Sequence, residues 1–151
     1  MAAYGRCRPE TRRGGLGVRS VPFILYNSNP EGKRTPDCVI RAVSRLFDIS
    51  WDDAYWELSA QGFIDKSPLT VDEVWGNYLY KNGYNMHLLP DTCPRCYSVH
   101  QFALDHPVGR YMVKTSGHVI AVVDGDYYDT SDSGIEIPIY YWKKERAVNG
   151  N

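Results

Sequence analysis

Three side chains, far apart in the chain, have the types that nucleophilic acyl chemistry needs. Cys38 lies in the run DCVIRAVSRL. There Val39, Ala42, Val43 and Leu46 fall at i, i+3, i+4 and i+7 and form one apolar helical stripe, with Arg41, Ser44 and Arg45 on the other side. That puts the Cys38 thiol in the first turn, at the edge of the stripe, where the positive end of the helix dipole favours thiolate. Asp37 or Thr35 carries the short polar side chain that caps such a helix start. His118 follows Ser116-Gly117 and opens an apolar, β-branched run to Val123. Asp129 comes eleven residues after His118, across the turn dipeptide Asp124-Gly125. Two hairpin registers are open. A turn at Gly125-Asp126 opposes Val122 to Asp129, whereas a turn at Asp124-Gly125 opposes Val123 to Asp126 and His118 to Ser131. Either keeps Asp129 within a few residues of His118. A thiol, an imidazole and a carboxylate in this order supply a nucleophile, a general base and an orienting acid. Each also has a plain structural reading: Cys38 as a small buried hydrophobe, His118 satisfied by a carbonyl, Asp129 capping a turn. The ordered triple points to chemistry where the single residues do not. Asp132 is a reserve for Asp129.

A second cluster bears on metal. Cys93-Pro-Arg-Cys96 is flanked by His87 and His100, giving H-x5-C-x2-C-x3-H. Two thiolates and two imidazoles would complete a zinc tetrahedron. A single CxxC is half of such a site, the spacing is not that of a zinc finger, and His87 would have to fold back. A redox pair needs the CxxC after a strand and at a helix start, which Pro90-Asp91-Thr92 does not provide. Two free loop thiols are the third reading. No cofactor is therefore expected, and structural zinc stays open. Cys7 falls in the N-terminal tail, and His106 before Pro107 reads as a helix-end residue.

These residues need elements to hold them. Residues 21–26 read as a strand and 27–36 as a loop with two prolines and a glycine. Ser50 with Asp53 opens a helix over 51–60; Thr70 with Glu73 opens one over 71–82, stopped by Gly83; Ser98 with Gln101 opens one over 99–105, closed by His106-Pro107. The period then changes. Residues 110–114, 118–123, 126–130 and 135–142 read as strands. Helices first and antiparallel strands after them define an α+β domain, spanning 21–147. Ahead of it, residues 1–20 carry Arg6, Arg8, Arg12, Arg13 and Arg19 against Glu10, so this tail is +4 and the remainder −5. Its few large apolar residues predict a disordered extension; a basic arm for nucleic acid or a partner is the other reading.

The chain has 151 residues, 43% hydrophobic and 23% charged, with net charge −1, which suits one folded domain and argues against a dedicated nucleic-acid binder. No apolar run reaches membrane-spanning length, the first residues lack a secretory signal, and four cysteines are too few for a disulfide scaffold. The expectation is a cytoplasmic protein with reduced thiols and no membrane partner.

DCVIRAVSRL resembles the nucleophile helix of papain-like cysteine peptidases, and SGHVIAVVDGDYYDTSDSG resembles their His strand followed by the Asp/Asn strand. The resemblance spans roughly residues 23–142 and is greatest to bacteriocin-processing, double-glycine type peptidases and small phage or prophage proteins. It implies a papain-like fold and a thiol hydrolase acting on peptide or isopeptide bonds of a peptide or protein substrate. Cys38 would attack, His118 would take and return the proton, and Asp129 would orient His118. The family's Gln, about six residues before the nucleophile, is here Gly32, and no Gln precedes Cys38. Asn27 and Asn29 are the candidates to supply that oxyanion amide; turn formation in Asn-Ser-Asn-Pro explains them equally well. Two alternatives remain: a CHAP-like peptidoglycan amidase or endopeptidase, and a catalytically weak or inactive binding module on the same fold.

Overall fold

Helix α1 (Cys38–Phe47) forms where the spacing predicts, and Val39, Ala42, Val43 and Leu46 are buried beneath it. It ends at Asp48 in the left-handed conformation, whose N–H donates to the Ser44 carbonyl. The computed structural model describes residues 22–90 and 95–145. The 1–20 tail, with Cys7, and Cys93 lie outside the described residues.

Helix α2 (Trp51–Asp65) starts on Ser50, whose hydroxyl accepts from the Asp53 N–H as the capping pattern predicts. It runs past the expected end at residue 60, because Gln61 and Gly62 are buried on the turn that follows. Helix α3 (Asp72–Lys81) begins later than expected: Val71 stands at its N-cap with no side-chain cap, so Thr70 does not form the predicted box. Helix α4 (Val99–Asp105) has the predicted bounds, with the Ser98 hydroxyl accepting from the Gln101 N–H. No helix among the described residues is long and apolar enough to cross a membrane.

The strands are β1 (Phe23–Leu25), β2 (Tyr84–Leu88), β3 (Arg110–Lys114), β4 (Val119–Val123), β5 (Asp126–Asp129) and β6 (Tyr140–Lys144). They form one sheet in the order β1-β5-β4-β3-β6-β2. Four of its five pairings are antiparallel; β1 runs parallel to β5, so the sheet is mixed. The class is α+β. Strand β2 was not expected: Asn85 and Met86 face solvent and break the apolar pattern, and pairing with β6 supplies the order instead. Residues 135–139, expected to be strand, are irregular around Pro138, which has no N–H for a ladder.

Alternation along the strands sorts the core into two layers. Met112, Val119, Ala121 and Val123 face α1, α2 and α3; Tyr111, Val113, Ile120, Val122 and Tyr127 face α4. Covered on both faces, β4 is apolar throughout. Its pairing of Val123 with Asp126 selects the turn at Asp124-Gly125, both at positive φ (50° and 86°).

Gly62 gives the packing a direct test. A Cβ there would sit 2.6 Å from the Ser67 carbonyl oxygen. Gly→Ala in an open helix gains about 1 kcal/mol. Gly62→Ala is expected to reverse that sign, losing about 1–3 kcal/mol through overpacking. Denaturant unfolding measures it.

Candidate active site

Cys38 is the first residue of α1 and is half-buried. Its thiol is hydrogen-bonded to the His118 side chain and takes a further hydrogen bond from the Val119 backbone. His118 immediately precedes β4. Its Nε2 lies 2.6 Å from Asp129 Oδ2, which leaves Nδ1 as the ring nitrogen for the thiol. Continuing the β4–β5 register puts Asp129 opposite Ile120, so His118 is its diagonal neighbour. Of the two hairpin registers, the observed one therefore makes the His–carboxylate contact. The structure brings Cys38, His118 and Asp129 together.

Asp129 ends β5, and its carboxylate is nearly fully occupied. Oδ2 accepts from His118 and from the Ser133 hydroxyl at 2.8 Å; Oδ1 accepts from Arg41 Nη1 at 3.0 Å and from the Thr130 N–H at 2.7 Å. Arg41 is 7% exposed, not on the solvent side of α1. Its Nε donates to Asp37 Oδ1 at 2.7 Å, and Trp51 Nε1 donates to Asp37 Oδ2 at 2.9 Å. Asp37 thus stands at the N-cap but makes no side-chain cap, because both carboxylate oxygens are turned to Arg41 and Trp51. Thr35 gives only its carbonyl, to the Asp37 N–H. Arg41, Asp37, Trp51 and Ser133 were not anticipated as part of the site. The one signal available was the i, i+4 spacing of Asp37 and Arg41, which suits an ion pair on either face of a helix.

The charges follow. Burial alone would raise the Cys38 thiol, but the hydrogen bond to His118, the Val119 backbone and the nearby positive charges of His118 and Arg41 bring it below its ordinary value. The hydrogen bond to Asp129, and then that to Cys38, raise His118 to about 10 against the cost of its burial. Burial would likewise raise Asp129, but His118, Ser133 and Arg41 hold it at about 2. A lowered thiol beside a raised imidazole favours the thiolate–imidazolium pair over the neutral one. Such a pair can attack an electrophilic carbon and return a proton to a leaving group.

The expected oxyanion residues are used elsewhere. Asn27 Nδ2 donates to the Lys33 carbonyl, and its Oδ1 accepts from the Asn29 N–H. Asn29 Oδ1 accepts from the N–H groups of Glu31 and Lys33. Both asparagines build the loop, the turn-forming alternative. Asp132, the reserve acid, accepts from the Tyr127 hydroxyl and the Gly134 N–H and does not meet His118.

The zinc candidates that are described have other partners. His87 stacks on Tyr141 and meets Glu145 at 3.4 Å; His100 sits in the first turn of α4, its N–H donating to the Gly134 carbonyl. Cys96 is in a disulfide, so in this form it offers no thiolate, and the expectation of wholly reduced thiols fails there. Among the described residues, no group of three or more His, Cys, Asp or Glu gathers to hold a metal. No family model matches the sequence, and no curated protein or solved structure matches it either.

Two outcomes are expected. Alkylation of Cys38 by iodoacetamide should stay fast at pH values below its ordinary thiol range, falling only as the pair is protonated; His118→Ala should move the profile upward, since burial persists without the imidazole. Peptide mass spectrometry reads the rate. For stability, His118 is raised from 6.5, so its contribution is complete below about 6.5 and is lost as pH rises through about 10. Asp129 is lowered from 3.8, so its contribution is present above about 3.8 and lost as pH falls through about 2. The stability gap between wild type and His118→Gln should peak between those limits, near pH 4–6.5, in urea unfolding.

Proposed function

We propose that this chain is a papain-like thiol hydrolase that cleaves a peptide or isopeptide bond through a thioester. The observation that carries the reading is the continuous contact from the Cys38 thiol to the His118 ring to the buried Asp129 carboxylate. Helix α1 presents the nucleophile and the adjacent strands β4 and β5 present the other two, which is the arrangement the resemblance implies.

The residues act in order. Cys38 Sγ attacks the carbonyl carbon, and the electron pair moves to the carbonyl oxygen. The imidazolium of His118 gives its proton to the departing amine as the C–N bond breaks, leaving a thioester and a neutral ring. His118 then takes a proton from water, whose oxygen attacks the thioester and releases the acid. The sulfur leaves as thiolate, and the ring keeps the proton it took from water, which restores the starting pair. Asp129 keeps the ring oriented and stabilises its charge throughout.

A second reading is favoured by one observation. With the Asn27 amide donating to the Lys33 carbonyl, one of the two asparagine donors the sequence offers is committed to the loop. Losing one such donor costs on the order of 10²–10³ in rate. A slow enzyme, or a binding module that keeps a reactive thiol, fits that loss.

Digestion of a peptide library together with cell-wall stem peptides, read by mass spectrometry, tests the assignment. Cleavage should vanish in Cys38→Ala and fall about 10²–10⁴-fold in His118→Ala. Cleavage that survives Cys38→Ala would sink the thiol mechanism. A rapidly alkylated Cys38 with no substrate cut in either set would make the binding module the better reading.

A further inference from the structure

Helix α2 is built the wrong way round for an isolated surface helix. Its buried positions are Ala54, Leu58, Gln61 and Gly62. Three of its large apolar side chains face out: Trp56 is 74% exposed, Phe63 75% and Ile64 63%. Asp53, Trp56, Ala60, Phe63 and Ile64 follow the 3–4 spacing of a single helical face, with small Ala60 at its middle. Charge is divided along the outward face, Asp65 being turned aside to Gln61 and Asn77. Asp52, Asp53 and Glu57 are exposed in its first half, and Lys66 lies just past its end, its Nζ 3.9 Å from the Phe63 ring centroid. The cation therefore belongs to the same face.

We propose that this face is the contact of a two-fold symmetric homodimer, in which α2 packs antiparallel on α2 of a second copy, with Ala60 at the axis. An isologous contact must be complementary to itself. Antiparallel pairing about Ala60 sets Trp56 against Ile64 of the second copy and brings Asp52 and Asp53 beside its Lys66. A parallel pairing would set three acids against three acids. Ala60 lets the backbones approach, as small residues at a helix crossing do. Trp56, Phe63 and Ile64 offer on the order of 400 Å² of side-chain surface per copy, about half of what a standard interface takes from each partner. The association is accordingly weak, with a dissociation constant on the order of 10–100 μM. It is independent of the chemistry assigned to Cys38.

Sedimentation equilibrium of the full chain, over about 1 μM to 1 mM, reads it. A monomer–dimer equilibrium is expected, weakened about tenfold or more by Phe63→Asp and by Trp56→Glu, with circular dichroism showing both variants folded. Asp53→Lys should also weaken it, and adding Lys66→Asp to that variant should restore association to within about threefold of wild type. A chain monomeric throughout, an association indifferent to the Phe63 and Trp56 variants, or a double charge exchange that fails to restore it would each overturn the antiparallel pairing.

Discussion

Asp129 is a carboxylate 2% exposed to solvent, and the rest of the site depends on how its charge is held. A buried ion is costly unless it is paired and hydrogen-bonded. Here two cations and two further donors do it: Arg41, His118, the Ser133 hydroxyl and the Thr130 N–H. Those four come from α1, the start of β4 and the loop after β5. Satisfying one carboxylate therefore fixes three parts of the fold against one another. Removing one partner of such a buried pair costs about 3–5 kcal/mol, because the other charge is left alone.

The two cations are not equivalent. Arg41 is charged at every accessible pH, while His118 can gain and lose a proton. Arg41 occupies Oδ1 and leaves Oδ2 for His118 and Ser133, so the imidazole plane is set by a carboxylate that cannot turn. Arg41 is itself held by Asp37, and Asp37 by the Trp51 indole. The line from Cys38 to Trp51 thus joins the first turns of α1 and α2 through side chains alone. Its cost is the cap: with Asp37 engaged, the first N–H groups of α1 beside Cys38 have no side-chain acceptor from it.

The same economy of apolar surface governs the helices. α1 buries its stripe against β4, and α4 packs Phe102 and Ala103 against the other sheet face. α2 has little left to bury. It meets its neighbours through Trp51, Ala54, Leu58, Gln61 and Gly62 and turns Trp56, Phe63 and Ile64 outward. That contiguous outward patch is the surface the proposed second copy would cover.

What the sequence alone determined is local. Periodicity gave α1 its buried stripe; the hydroxyls of Ser50 and Ser98 gave two helices their starts; Asp124-Gly125, which favours positive φ, marked the hairpin, while the strand pairing chose between its two registers. The order of Cys38, His118 and Asp129 was legible because each sits at a recognisable helix or strand end. Tertiary structure decided what depends on distant partners. β2 exists because β6 lies beside it, and β1 runs parallel to β5 across a hundred residues of chain. Arg41 reads as a solvent-facing charge, yet lies inside because two buried carboxylates await it. Asn27 carries a free amide on paper, but the Lys33 carbonyl and the Asn29 N–H claim it first, and the Asn29 carbonyl oxygen is likewise taken by loop N–H groups. A side chain's type limits which bonds it can make; only the folded neighbours decide which it does make, because each bond competes with water and with every other partner in reach.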